Sequence, residues 1–95
     1  EVALNYAYEM YQEGFWCHKN PINGELVGDR LSKKGFPFID IGENLALSSS
    51  VRSGHNSLMN SDSHKSTILD NEFKRVGIGI VSGPVGLIIV QIFSS

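Results

Sequence analysis

Near the C-terminus, Leu87-Ile88-Ile89-Val90 sets four large apolar residues in succession, and the run continues through Ile92 and Phe93. Successive side chains of an extended segment point to opposite faces, so such a strand needs apolar cover on both. Val76 to Val81 reads as a second strand, joined to Leu87–Phe93 through Ser82-Gly83-Pro84-Val85-Gly86, which makes the pair an antiparallel hairpin. A sheet built around a strand buried on both faces must carry helices on both sides. The expected class is therefore α+β, a three-layer α-β-α sandwich with a small antiparallel sheet between helices.

The rest of the chain supplies those helices. Residues 1 to about 13 show one helical stripe of Ala3, Tyr6, Ala7 and Met10 and a second of Leu4, Tyr8 and Tyr11. Two stripes predict contacts on both sides of this helix, and Gly14 ends it. The pattern is already running at Glu1, which suggests that further chain precedes it. Phe15 to Gly24 is a loop with Lys19-Asn20-Pro21 and Asn23-Gly24 turn chemistry. Leu26 to Lys34 carries a short helical pattern (Leu26, Val27, Arg30, Leu31), stopped by Gly35 and Pro37. Phe38-Ile39-Asp40-Ile41 reads as an edge strand running into Gly42. Ser48-Ser49-Ser50 caps a helix over Val51–Asn60, and Ser61-Asp62-Ser63 caps another through Leu69, with Phe73 as its buried anchor. Phe15, Trp16, Phe36 and Phe38 read as core and cleft wall, and Tyr6, Tyr8 and Tyr11 as packing residues of the first helix.

With 95 residues the chain is one domain. A net charge of -2 and no cluster of Lys and Arg set nucleic-acid binding aside. No apolar run reaches the roughly 20 residues of a membrane span. The only cysteine, Cys17, cannot form an internal disulfide and reads as a small, partly buried hydrophobe. His18 is its neighbour, but adjacent side chains of an extended segment diverge, which places the two poorly as nucleophile and base.

Three features carry chemistry: His18 in a loop, Glu43 in Gly42-Glu43-Asn44-Leu45-Ala46 just after the candidate strand, and His64 in the first turn of a helix. The helix dipole disfavours a charged imidazole at that end, so His64 is expected neutral, the form that ligates a metal or acts as a base. Two histidines and a carboxylate suffice for zinc with an open position, and equally for general acid-base work. His55 fits neither scheme and reads as a surface residue.

The order of these pieces resembles a known family. His-x-x-Pro, Gly-Glu-Asn-Leu-Ala, Leu-Met-Asn-Ser-x-x-His-Lys-x-x-Ile-Leu, Phe-x-x-Val-Gly-Ile-Gly and the closing Val90-Gln91-Ile92-Phe93 look like the bacterial branch of the cysteine-rich secretory, antigen 5 and pathogenesis-related superfamily. The resemblance runs from about Leu4 to Phe93. It implies an α-β-α sandwich with an open cleft lined by two histidines and two glutamates, where the histidine pair of some members binds zinc or another divalent cation. His18 matches the first histidine, Glu43 the glutamate of the Gly-Glu-Asn block and His64 the second histidine. The other glutamate follows a tryptophan by three residues; Leu58 stands at that tryptophan and Ser61 at that glutamate, leaving the tetrad incomplete. The domain, residues 1–95, lacks the family's first helix, and Asp62-Ser63 replaces the Pro-Gly before the second histidine.

The expectation is a monomeric extracellular or surface-displayed domain whose His18/Glu43/Ser61/His64 cleft binds a host or envelope protein, or a lipid or sterol. The competing expectation is a metal-assisted peptidase, with His18 and His64 holding zinc and Glu43 activating water. Both need His18, Glu43 and His64 to converge from three separate segments. A purely structural polar cleft is the third reading.

Overall fold

A computed structural model describes residues 2–36, 40–84 and 86–95. In chain order it contains α1 (Val2–Glu13), α2 (Val27–Lys33), β1 (Ile41–Ser48), α3 (Val51–Met59), α4 (Asp62–Ile68), β2 (Arg75–Gly83) and β3 (Gly86–Ser94). The strands form one antiparallel sheet in the order β1-β3-β2. The apolar run is thus the central strand, and its two faces are served by different helices. Ile88, Val90 and Ile92 pack with Val2, Ala3, Tyr6, Ala7 and Met10 of α1 and Leu31 of α2. Ile89 faces the other way, into a smaller cluster with Ala46 and Leu58, flanked by Ile68 and Leu87. The three-layer arrangement follows directly from the period-2 alternation of β3.

The layers are held close by residues without bulk. A Cβ at Gly79 would stand 2.2 Å from the backbone nitrogen of Leu4, so α1 rests on β2 at a distance only glycine permits. The predicted serine cap is present on α3, where Ser50 Oγ accepts the Ser53 N–H at 3.1 Å. Ser61 precedes α4 as expected, but its hydroxyl bonds the His64 ring instead of the helix backbone.

Some expectations change, and one falls outside the described residues. Leu4, Tyr8 and Tyr11 are 44%, 50% and 44% exposed: α1 is an outer layer whose first stripe is buried on the sheet, while the second stays largely open, with Tyr11 edging against Gly83 of β2. Glu43 lies inside a strand rather than after one, because β1 pairs with β3 from Ile41↔Ser94 to Ser48↔Leu87. Phe38 and Ile39 of the expected edge strand lie outside the described residues, as do Glu1, Pro37 and Val85. Phe73 is half-buried, its ring 5.8 Å from that of Phe93. Among the other aromatics, Phe15 packs on Tyr6 at 5.9 Å, whereas Trp16 and Phe36 are exposed. No described helix is long and apolar enough to cross a membrane.

Candidate functional site

Alternation along β1 sends neighbouring residues to opposite faces. Glu43 pairs in register with Ile92 and so points toward α1 and α2; Asn44 pairs with Gln91 and points toward α3 and α4. This one-residue step decides the chemistry of the site.

On the α1/α2 side, the Glu43 side chain is only 2% exposed, and both its oxygens are engaged. Oε1 meets His18 Nδ1 at 2.9 Å, and Oε2 accepts from Arg30 Nη2 at 2.7 Å. Arg30 is itself buried, on the inner face of α2 beside Leu31. Its guanidinium also donates to the carbonyls of Glu25 at 3.1 Å and His18 at 3.2 Å, and lies 3.4 Å over the Tyr6 ring. Nε is the one buried side-chain polar atom among the described residues without a hydrogen-bond partner. Tyr6, fully buried in α1, gives its hydroxyl to the carbonyls of Cys17 and His18. Burial pushes the Tyr6 phenol up to about 12; nearby Glu43 adds to the rise, and Arg30 opposes it. The result is a charged pair kept dry by charge-assisted bonds, with an aromatic floor and the His18 loop tied down at two carbonyls.

His18 remains half-exposed, at 54%, and opens onto a cleft of about 520 Å³ whose walls include Ile41, Val27, Asp29 and Ser32. Cys17 is half-buried, with its thiol directed at the Lys19 carbonyl at 2.8 Å.

His64 has other partners. Its Nδ1 lies 2.9 Å from Ser61 Oγ, and its carbonyl accepts from Asn44 Nδ2 at 3.3 Å. The same amide donates to Gln91 Oε1 at 3.3 Å, forming a neutral polar seam on the α3/α4 side. The structure therefore brings together His18 and Glu43, and separately Ser61 and His64. Among the described residues no three His, Cys, Asp or Glu side chains gather so as to hold a metal ion. His18 pairs with Glu43 while His64 pairs with Ser61, so His18, Glu43 and His64 do not gather as one zinc-ligand set. His55 is exposed on α3.

Arg30 and Tyr6 are the participants that the sequence reading missed. The signal was present: Arg30 shares the apolar face of the Leu26–Lys34 pattern with Val27 and Leu31, and an arginine on a buried stripe demands a buried acceptor.

A family model described as the cysteine-rich secretory protein family matches residues 1–93. The chain belongs to the cysteine-rich secretory protein family. Solved structures agree. An extracellular protein containing an SCP domain from Bacillus anthracis is 26% identical with a TM-score of 0.84, over 98% of this chain and 30% of that one. An outer surface protein of Borrelia burgdorferi is 23% identical with a TM-score of 0.87, over 99% of this chain and 70% of that one. This family domain thus spans under a third of the Bacillus protein. A comparison with curated proteins finds no significant match.

Proposed function

We propose that this domain is a non-catalytic binding module that acts outside the cell, with the His18/Glu43 cleft as its recognition surface for a host or envelope protein or a lipid. The observation that carries this reading is the pairing of buried Glu43 with Arg30 and His18. A carboxylate buried at 2% exposure, held by a guanidinium on one oxygen and by His18 on the other, is stabilised as the anion and fixed in place, which disposes it poorly to take up a proton as a general base. His18, by contrast, presents half of its surface to the cleft, as a contact residue does. The extracellular placement is supported by the family and by the descriptions of the Bacillus and Borrelia proteins. Lipid or sterol recognition is the alternative ligand class.

Calorimetric zinc titration of the protein and of His64→Ala, combined with mass-spectrometric assay of a mixed peptide pool, separates this reading from a metal-assisted peptidase. The expected result is no zinc binding at about 1 μM or tighter, roughly −8 kcal/mol, and no peptide cleavage. Micromolar binding lost in His64→Ala, or cleavage lost in Glu43→Gln, would overturn it.

A further inference from the structure

Between α1, α2 and the 23–25 turn lies a second concavity of about 550 Å³, with Tyr6 and Arg30 of the ionic cluster in its floor. Its volume is within the roughly 300–1,000 Å³ of small-molecule sites. It adjoins the half of α1 whose exposed apolar stripe the fold leaves unexplained, since Leu4 and Tyr8 stand on its wall. Tyr8 does not hang free: Gln12 Nε2 donates to its hydroxyl at 3.0 Å, and the Tyr11 ring lies 6.4 Å away, tilted by 46°. An exposed aromatic ring held in position offers a planar apolar surface at little further loss of side-chain freedom.

Around that surface stand groups that can each donate or accept. Among the described residues the side chains of Asn5 and Lys34 have no hydrogen-bond partner. Glu9 accepts one bond from Asn20 Nδ2 at 3.3 Å, and Asn23 Nδ2 donates to Glu25 at 3.1 Å; both leave hydrogen-bonding capacity unused. The charges decide the ligand class. Arg30 is matched by Glu43 and Lys33 by Glu25, which leaves Glu9 and Lys34 to balance each other. With the charges offset, no net field draws a strongly charged ligand in preference to a neutral one.

We propose that this groove binds a neutral saccharide, the apolar C–H face of one ring lying on Tyr8 and Leu4 and its hydroxyls meeting Asn5, Glu9, Asn23 and Lys34. Vicinal hydroxyls are paired donors and acceptors, which mixed amide, carboxylate and ammonium groups satisfy together, and the negative face of a tyrosine ring attracts C–H groups. The groove shares no wall residue with the His18/Glu43 cleft, Tyr6 and Arg30 lying between the two, and the proposal stands whether or not that cleft is catalytic.

The test is a ¹⁵N-amide NMR titration of the whole chain with cellobiose, maltose and N,N′-diacetylchitobiose, beside glucuronic acid and glucosamine as charged probes. At least one neutral disaccharide is expected to shift amides confined to the neighbourhoods of Asn5, Tyr8, Glu9, Asn23 and Lys34. Tyr8→Ala and Asn5→Ala, both at exposed positions, should each weaken binding about tenfold while leaving the rest of the spectrum folded; His55→Ala should change nothing. Absence of shifts with all three neutral probes overturns the proposal. So do shifts that survive both substitutions, or a charged probe that binds more tightly than every neutral one.

Discussion

The two faces of the sheet are built from the same three strands and carry different chemistry. Among the described residues the α1/α2 face buries a cluster of nine, whereas the α3/α4 face buries three. The thick side holds the ionic pair of Glu43 and Arg30 over Tyr6; the thin side holds an amide seam, with Asn44 bridging Gln91 and the His64 carbonyl, beside the His64–Ser61 pair. A carboxylate kept dry requires a counter-charge and complete hydrogen bonding, and only the side with a long helix, a second helix and a tied loop supplies both. The β1–β3 register aims Glu43 at that side, and the depth of packing there lets the charged pair stay dry.

The sharpest way to break this comparison is Arg30→Ala. It strands a buried carboxylate and should cost about 3–5 kcal/mol in urea unfolding, with the His18 loop losing amide protection. Replacing both partners, Arg30→Met with Glu43→Leu, should recover most of that loss; a double variant no better than the single one would mean that the pair is not the unit that matters. Leu58→Ala tests the thin face. A three-residue cluster near the surface can collapse around the deletion, so the expected loss is about 2 kcal/mol, the low end of the range for leucine truncation. A loss equal to that of Arg30→Ala would erase the difference between the faces. The smallest effect is Tyr6→Phe, about 1 kcal/mol at neutral pH from the lost hydroxyl bonds to Cys17 and His18. Here the pH dependence matters more than the magnitude. The folded phenol titrates at about 12, above the ordinary value of 10.0, so its contribution is complete below pH 10 and fades as pH rises toward 12. Urea denaturation from pH 8 to 12 should show this alkaline loss in the native chain and a shallower one in Tyr6→Phe.

Much of the fold was legible because it rests on local patterns. The doubly apolar β3, the Ala3-Tyr6-Ala7-Met10 stripe and the Ser50 cap each state a requirement that one element can meet only in one way. Leu4, Tyr8 and Tyr11 misled, because a stripe shows that a surface is apolar and not that anything covers it. In the site, His18 and Glu43 were visible as residue types in recognisable blocks, yet their partner Arg30 looked like one more member of a short helix. His64 was grouped with them on order along the chain, whereas its bonds are to Ser61 and Asn44.

The sequence by itself determined the helices, the Ser50 cap, the antiparallel hairpin and the need for helices on both sides of the sheet, since periodicity and turn chemistry act over a few residues. Only the tertiary structure decided which face each functional side chain occupies. Glu43 and Asn44 are adjacent in sequence, but the β pleat and the β1–β3 register send one to a buried arginine and the other to a histidine carbonyl. A register is a property of two strands together, which is why the ionic site and the neutral seam come apart only in the folded chain.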